Sequence, residues 1–287
     1  MKHNLAVIGG SGLYDLPGLT ARETIHVETP YGAPSAPITR GTIGDVTLLF
    51  LPRHGIGHTL LPHEVPYLAN IYALKSLGAQ WLLAVSAVGS LREDIAPTDM
   101  VVVDQYIDRT QGRMGTFFGD GCVAHVSFGD PTCPVLRGML RDALANQPGA
   151  FHDGGTYVCM QGPAFSTRAE SEMYRGLGGD VIGMTNLPEA KLAREACISY
   201  ASLAMATDYD AWRTGHPPVT TDEILAVLSG NADRARNTVA GVAHRLAAHE
   251  QSTPLKGSLR NAVMTPIEAI PPATKARLSL LLTEAYP

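Results

Sequence analysis

Two carboxylates follow an apolar run in the later part of the chain. The run from Ile198 to Ala206 ends in Thr207, Asp208, Tyr209 and Asp210. It predicts a buried strand, on which Asp208 and Asp210 would point to the same side because side chains alternate. Unpaired charges at a dry strand end are costly. The pair therefore predicts contact with a ligand, a metal or a solvent-filled pocket, unless the two residues only form a turn.

Loops after other apolar runs carry donors that suit an anion. The glycines in Gly9–Gly12 let the backbone approach an anion closely, and Ser11 adds a hydroxyl. Arg53 presents a planar fork that matches phosphate oxygens, and His54 can donate another hydrogen bond. Thr185 precedes a predicted helix, whose free N–H groups favour anions. Each of these residues could also belong to an ordinary surface loop.

Two further segments could contact the same ligand. The small residues of Val85–Leu91 could admit a ligand between backbone groups or could simply pack tightly. Met184 could cover an apolar ligand face or lie in the core. Ligands gather at the carboxyl ends of strands in an open α/β sheet. The strand ends together predict phosphate at one end of the ligand and a basic heterocycle beside the two carboxyls, with an oxyanion site made by Ser11, Arg53, His54 and Thr185.

Common nucleotide and metal motifs are incomplete. The dinucleotide fingerprint needs a third glycine where the chain has Asp15, and no Gly-Lys-Ser/Thr follows the glycines to make a Walker A loop. His54 and His58 have a spacing that a metal site could use. They lack the glutamate of an HExxH motif, and the intervening glycines argue against a helix. We therefore predict no metal.

Apolar runs that alternate with helical patterns indicate an α/β fold. We predict one domain over residues 1–287, with a central mixed, largely parallel twisted sheet flanked by helices, and residues 251–287 as a C-terminal extension. Capping boxes are predicted at Thr167-x-x-Glu170 and Asn186-x-x-Glu189. The predicted strands are Leu5–Ile8, Val46–Leu51, Trp81–Val85, Met100–Val103, Thr156–Met160, Val181–Gly183 and Ile198–Ala206. The predicted helices are Glu64–Leu77, Thr167–Leu177, Leu187–Cys197 and Thr221–Ala248.

Composition narrows the class of protein. The chain is 45% hydrophobic and 17% charged, which suits a soluble globular protein with a large core. A net charge of −5 argues against a nucleic-acid surface. No apolar run reaches the ~18 residues of a membrane span, and the N-terminus lacks a signal-peptide pattern. Four widely spaced cysteines without a CxxC pair are typical of thiols in a reducing cytosol. We predict a cytoplasmic protein that binds neither nucleic acid nor membrane.

Longer segments repeat, in order, the pattern of a known family. They include GGSGLYD, RHGIGHTLLPHEVPYLANIYALKSLG, VSAVGSLREDIAPTD, GPAFSTRAESEMYR and DVIGMTNLPEAKLAREACISYASLAMATDYDAW. Over most of Val7 to Trp212 the chain resembles the methylthioadenosine phosphorylases of the trimeric purine nucleoside phosphorylase family. The resemblance implies phosphorolysis of 5′-methylthioadenosine to adenine and 5-methylthioribose 1-phosphate, as in methionine and purine salvage. It also implies a homotrimer with shared sites and no cofactor, since phosphate is a substrate.

The resemblance implies a role for each matching residue. Asp208 and Asp210 match the carboxylates that recognise adenine, and the chemistry of the reaction predicts that both are catalytic, with Asp208 as the acid at purine N7 and Asp210 assisting near N6. The implied phosphate-binding residues are Ser11, Arg53, His54, Ser86, Ala87 and Thr185. The implied nucleoside-binding residues are Phe165, Ser166, Met184, Asp208, Tyr209 and Asp210, together with His125, which a neighbouring subunit would place near the 5′ end.

Departures from the familiar eukaryotic pattern keep alternatives open. Serine stands where threonine is usual at Ser11 and Ser86, which keeps the hydroxyl at both positions. Ala164 stands where arginine often occurs, and Thr221 where an apolar residue is common, so tolerance for other 5′ groups is not determined. A phosphorylase of 6-oxopurine nucleosides such as methylthioinosine is one alternative. A non-catalytic sensor of adenine nucleosides is another.

Overall fold

The structure, a computed structural model, describes residues 2–10, 13, 16–213 and 221–286. Its strands are β1 (His3–Gly9), β2 (Thr20–Ile25), β3 (Ile38–Ile43), β4 (Val46–Pro52), β5 (Trp81–Ser90), β6 (Met100–Val103), β7 (Gln105–Arg109), β8 (Phe151–Asp153), β9 (Thr156–Met160), β10 (Val181–Gly183) and β11 (Ser199–Asp208). Its α-helices are α1 (Tyr67–Ser76), α2 (Pro134–Leu144), α3 (Arg168–Gly176), α4 (Asn186–Glu195), α5 (Thr221–Ala247) and α6 (Pro272–Ala285). Short 3₁₀ helices cover Ser258–Asn261 and Ile267–Ala269.

One mixed sheet organises the described residues. Its path runs β2-β3-β4-β1-β5-β10-β9-β7, and β11, β6 and β8 branch from β5. The central strands β4, β1, β5 and β11 are parallel, so their carboxyl ends share one edge. The pairs β5–β10, β6–β11, β2–β3 and β3–β4 are antiparallel. The predicted α/β fold with a mixed, largely parallel sheet is confirmed.

Apolar side chains bury both faces of the sheet. The central strands are buried almost throughout, as expected of parallel strands covered by helices. On one face, the core includes Ile71, Ala190 and Leu281 from α1, α4 and α6. On the other face, it includes Leu140 and Val239 from α2 and α5. This covering holds the strand ends in fixed register beneath the candidate site.

The helix starts predicted from the sequence can be compared with those in the structure. The predicted capping box at Thr167 is confirmed, since its hydroxyl accepts from the Glu170 N–H and Glu170 accepts from the Thr167 backbone. The capping box predicted at Asn186 is wrong: Thr185 is the N-cap residue, and its side chain makes no capping hydrogen bond. The helix predicted from Glu64 begins at Tyr67, after Pro66.

The C-terminal segment packs into the main core. Leu259, Ile270 and Leu281 are buried there with residues of the sheet. A salt bridge of 2.7 Å joins Glu284 on α6 to Lys75 on α1. The boundary of the extension at residue 251 stays a prediction. No helix within the described residues is both long enough and apolar enough to span a membrane.

Candidate functional site

A gap in strand pairing lies along β5. On one edge, β1 pairs with β5 as far as Ala84, where Ile8 faces it. On the same edge, β10 pairs with Gly89 and Ser90 in the opposite direction. Between these two pairings, the 85–88 stretch faces no strand on that edge in the described part of the chain. Backbone groups at such a gap are available to a ligand.

Arg53 closes one side of the gap. Its Nη1 donates to the Val85 carbonyl at 3.0 Å, and its Nη2 donates to the Ile8 carbonyl at 3.3 Å. Backbone groups alternate in direction along a strand, so the N–H of Ala87 points to the same edge as the carbonyl of Val85. The gap therefore presents at least one backbone donor to a ligand.

Ser86 lies within the gap on β5, and Thr185 follows β10 as the N-cap residue of α4. Because β10 runs antiparallel to β5, the residues after Gly183 run back along the open stretch. Ser86 and Thr185 are both buried, and the Ser86 Oγ has no hydrogen-bond partner among the described residues. Gly9 reaches the gap as well, since a Cβ there would lie 3.3 Å from the Val85 oxygen. Ser11, predicted beside it, lies outside the described residues.

The Arg53 guanidinium is held by an ion pair that the sequence did not indicate. Its Nε and Nη2 donate to the two oxygens of Glu189 at 2.8 and 3.0 Å, and both side chains are almost fully buried. Burial lowers the pKa of Arg53, but attraction to Glu189 outweighs it and keeps the pKa above its usual value. With the two carbonyls, four of the five N–H hydrogens are engaged. The planar fork of Arg53, which we predicted to bind phosphate, therefore binds Glu189 instead. One Nη1 hydrogen remains available to an anion.

His54 lies beside Arg53 as a neutral ring. Its Nδ1 is 2.9 Å from the Leu60 carbonyl, which can only accept, so Nδ1 carries the proton and Nε2 is an acceptor. Burial, the largest cause, lowers the pKa of His54 to about 4, although the Leu60 hydrogen bond opposes it. The ring stacks on His58 with centroids 4.3 Å apart. In this state the ring cannot give an anion the hydrogen bond that we predicted.

The depressed pKa of His54 predicts a specific pH dependence of stability. An unfolded histidine has a pKa near 6.5, so between about pH 6.5 and pH 4 the unfolded chain binds a proton that the folded chain does not. The free energy of unfolding therefore falls as the pH falls through this window. We expect His54→Asn, whose amide can still donate to Leu60, to lose less stability than the wild type between pH 7.5 and pH 5 in urea unfolding. Equal losses in the two proteins would contradict this assignment.

Asp208 and Asp210 come together at the end of β11. The Asp210 N–H and the Thr207 hydroxyl each donate to the Asp208 carboxylate, both at 2.7 Å. The strand ends at Asp208 and Asp210 adopts a left-handed φ of 48°, so strand alternation is not what aligns them. Asp210 keeps one buried oxygen, Oδ2, with no hydrogen-bond partner among the described residues.

Gly89 lies directly against both carboxylates. A Cβ at Gly89 would lie 2.9 Å from Asp208 Oδ1 and 3.2 Å from Asp210 Cβ. Gly89 also ends the gap along β5, because it pairs with Ile182 of β10. The gap on β5 and the carboxylate pair at the end of β11 are therefore neighbours that meet at Gly89.

Apart from His125, the other residues that we predicted to contact the nucleoside lie on the loops after β10, β9 and β11, and their surroundings differ. Met184 follows β10, and its Sδ lies 2.5 Å from where a Cβ on Gly162 would be. The loop after Gly162 carries Phe165, whose side chain is 48% exposed, and Ser166, whose hydroxyl donates to Met160 Sδ at 3.7 Å. Tyr209 packs edge-on against Trp212. A ligand between these strand ends would cover the exposed Phe165 ring.

His125 lies on the surface. Its backbone N–H donates to the Ala262 carbonyl at 2.9 Å, and Ala124 forms a bridge with Val263. Its contacts in this chain are thus to the C-terminal segment. Two large apolar neighbours are also exposed, Val123 at 48% and Met264 at 66%.

Other groups that can carry chemistry are not among the predicted site residues. A cavity of about 570 Å³ is lined by residues such as Tyr31, Arg113 and Arg277, but by none of the predicted site residues. The described residues contain no group of three His, Cys, Asp or Glu side chains that could hold a metal. All four cysteines are buried and free.

Sequence reasoning missed three residues that shape the site. Glu189 was interpreted as part of a capping box, which hid its pairing with Arg53. Apart from its small size, nothing about Gly89 in the sequence indicated that it would contact the two carboxylates. Arg113 donates to the carbonyls of Met184 and Leu187, at 2.6 and 2.9 Å, and so fixes the loop before α4. A charged residue in a loop gives no sequence signal for such a role.

Comparison with known proteins decides the family. The model of the phosphorylase superfamily matches residues 4–244. The chain belongs to this superfamily. It is 52% identical to S-methyl-5′-thioadenosine phosphorylase of Thermosynechococcus vestitus, over 99% of both chains.

Solved structures of this superfamily share the fold closely. A methylthioadenosine phosphorylase from an Antarctic soil metagenomic library has a TM-score of 0.93 at 49% identity, over 98% of this chain and all of that one. A methylthioadenosine phosphorylase from Schistosoma mansoni in complex with adenine has a TM-score of 0.83 at 34% identity, over 99% of both chains. The family resemblance seen in the sequence is confirmed.

Proposed function

We propose that this enzyme catalyses the phosphorolysis of S-methyl-5′-thioadenosine to adenine and 5-methylthioribose 1-phosphate. The observation that carries the proposal is that the gap at 85–88 on β5 lies next to the Asp208–Asp210 pair at the end of β11, with Gly89 between them. Phosphate and an adenine edge are chemically matched to these two places. The names of the similar proteins support the same reaction.

The gap supplies donors for phosphate. Ser86 Oγ, the side chain of Thr185, the Ala87 N–H and one Nη1 hydrogen of Arg53 converge there, and we propose the backbone of His54 and the hydroxyl of Ser11 as further donors. The Arg53 charge is balanced by Glu189. Phosphate binding therefore depends mainly on preorganised dipoles rather than on a net positive charge. We propose that no further cofactor is needed.

The reaction moves charge in opposite directions at the two ends of the site. A phosphate oxygen attacks C1′ of the sugar from the face opposite the base, and the C1′–N9 bond breaks with its electron pair going to the purine. Phosphate stabilises the positive charge that develops on the sugar. We propose that Asp208 donates a proton to N7 of the departing purine, which leaves as neutral adenine. The free Oδ2 of Asp210 accepts from the N6 amino group.

The other residues proposed in the site hold the nucleoside. Met184 covers the ribose, Phe165 lies against the purine ring with Ser166 beside it, and Tyr209 borders the base. Support comes from their positions on the loops that follow β10, β9 and β11. Strand β10 borders the gap, β11 carries the carboxylate pair, and β9 is the strand beyond β10.

The direct test is adenine release from S-methyl-5′-thioadenosine by the purified protein, with and without phosphate. Release that requires phosphate and exceeds that from adenosine, inosine and methylthioinosine is the expected result. Release without phosphate would identify a hydrolase. Preference for an oxopurine would mean that the carboxylates do not recognise adenine. Binding without turnover would indicate a sensor.

Base selectivity should depend on Asp210. An amide at this position can donate to the O6 of an oxopurine, whereas a carboxylate repels it. A buried mismatch of this kind costs about 1–3 kcal/mol, which corresponds to a preference of about five- to 150-fold. We expect Asp210→Asn to reduce the kcat/KM preference for methylthioadenosine over methylthioinosine by a factor in this range, about five- to 150-fold. An unchanged ratio would exclude Asp210 from base recognition.

We further propose that the chain forms a homotrimer in which His125 of one subunit reaches the 5′ end of the neighbour's nucleoside. The exposed apolar side chains of Val123 and Met264 beside the His125 loop support a partner there. Sedimentation of the 30.5 kDa chain gives the oligomeric state. We propose the cytoplasm as its compartment, and four free buried thiols support this assignment.

A further inference from the structure

Tyr157 is a fully buried tyrosine whose hydroxyl faces the phosphate end of the proposed site. It lies on β9 opposite Val181 of β10, and its ring extends along β10 towards Gly183. A Cβ at Gly183 would lie 2.0 Å from the Tyr157 hydroxyl oxygen. Only glycine at that position allows the hydroxyl to pass β10 and reach the gap.

The Tyr157 hydroxyl meets two of the phosphate-binding groups. It faces the side chain of Ser86 and the backbone of Thr185. Yet neither the Tyr157 hydroxyl nor the Ser86 Oγ forms a hydrogen bond of normal geometry with any described residue. Two adjacent buried hydroxyls without partners are unusual, because each loses its bonds to water without replacement. Such a pair indicates a ligand that completes it.

The chemistry of an anion explains how the pair would be completed. A phosphate dianion only accepts hydrogen bonds, so Ser86 must turn its single hydrogen towards the phosphate. The lone pairs of Ser86 Oγ are then free to accept from Tyr157. Burial, the main cause, raises the pKa of Tyr157 well above its usual value, so the phenol keeps the proton that it donates. The hydroxyl hydrogen of Ser86 rotates about the Cβ–Oγ bond, so a hydrogen bond donated to Oγ by a fixed neighbour is needed to orient it.

We propose, on the basis of the phosphorylase function above, that Tyr157 is a positioning residue for phosphate. Its hydroxyl donates to Ser86 Oγ, which orients the serine hydrogen towards the bound phosphate. Tyr157 itself does not touch the phosphate, since its side chain is fully buried whereas Ser86 keeps a small exposed fraction. Its effect should therefore act on phosphate and not on the nucleoside.

The test compares Tyr157→Phe with the wild type in steady-state phosphorolysis. We expect the KM for phosphate to rise roughly two- to tenfold, the range for one hydrogen bond, with the KM for the nucleoside unchanged. Tyr31→Phe is the matched control, because it also removes a buried hydroxyl without a partner but lies at the separate cavity. An unchanged KM for phosphate in Tyr157→Phe overturns the proposal.

A double-mutant cycle with Ser86 identifies the relay. In a Ser86→Ala background, Tyr157→Phe should have no further effect on the KM for phosphate. In a Ser86→Thr background, which keeps the hydroxyl, Tyr157→Phe should raise the KM for phosphate as it does in the wild type. Equal losses in all three backgrounds overturn the relay through Ser86.

Failure of the proposed phosphorylase function can be distinguished from failure of the role proposed for Tyr157. If the wild type shows no phosphate-dependent adenine release, the phosphorylase function fails. Titration calorimetry with inorganic phosphate then decides the role of Tyr157 by itself. Weaker phosphate binding by Tyr157→Phe than by the wild type and Tyr31→Phe supports the role, and equal binding overturns it.

Discussion

Asp208→Asn is expected to lower kcat for methylthioadenosine by about 10²–10⁴, the range for loss of a positioned general acid. An asparagine can accept from or donate to N7, but it has no acidic proton to transfer. The Thr207 hydroxyl and the Asp210 N–H both donate to Asp208, as donors do to an ionised carboxylate. We therefore expect the proton to be taken up as the purine binds. The KM for phosphate should change little, because the gap at 85–88 is untouched.

A substrate already methylated at N7 provides the sharpest control for Asp208. Its purine carries the positive charge that protonation would create, so its departure needs no acid. Asp208→Asn should lose far less activity on that substrate than on methylthioadenosine. Asp210→Asn, the same change two residues along, should alter base selectivity without this pattern. A near-normal rate and an unchanged pH–rate profile for Asp208→Asn would falsify its role as the acid.

Glu189→Leu is expected to destabilise the fold by about 3–5 kcal/mol, because it leaves the buried Arg53 charge without a partner. The Tyr200 hydroxyl, which donates to Glu189 at 3.0 Å, also loses its acceptor. The free energy of unfolding in urea measures the effect. In the surviving folded protein, the guanidinium is no longer held against Val85 and Ile8, so the KM for phosphate should rise as well.

Two comparisons show whether burial is the cause of this loss. Asp94→Leu breaks the exposed Arg92–Asp94 pair and should change the unfolding free energy by at most about 1 kcal/mol. Replacing Arg53 and Glu189 together by methionine should recover much of the stability, because a buried pair is often no more stabilising than apolar residues of similar size. The same double variant should lose phosphate binding. A loss from Glu189→Leu no larger than that from Asp94→Leu contradicts our account.

The buried centre of the fold could be predicted because its strands are continuously apolar. Such a pattern predicts strands covered on both faces, and β1, β4, β6, β9, β10 and β11 follow it closely. Strand β2 is mostly exposed and has no apolar period, so it gave no signal. The strand predicted at Trp81–Val85 continues to Ser90, because the small residues after Val85 also pair in the sheet. The apolar residues of α6 pack into the main core, a contact that no local pattern indicates.

The site could be predicted in place but not in its contacts. Residue type and position after an apolar run pointed to Arg53, Thr185 and Asp208, and the family resemblance added Ser86. The partner of Arg53 depends on residue 189, which is 136 positions away, and no local rule identifies such a pair. The tautomer of His54 likewise depends on the Leu60 carbonyl. Contacts with residues distant in sequence determine which hydrogen-bond donors and acceptors of each side chain remain available to a ligand. Composition and hydrophobic periodicity do not reveal these contacts.

The unpaired stretch of β5 allows the base specificity of this fold to change while its anion-binding backbone is kept. Part of the affinity for the anion comes from the course of the main chain, which a point substitution does not remove. The side chains that read the base stand on other strand ends and can be exchanged independently. A library that randomises the β11 end and the loop after Gly162 while leaving 85–88 intact should therefore yield new base preferences without rebuilding the half of the site that holds the nucleophile.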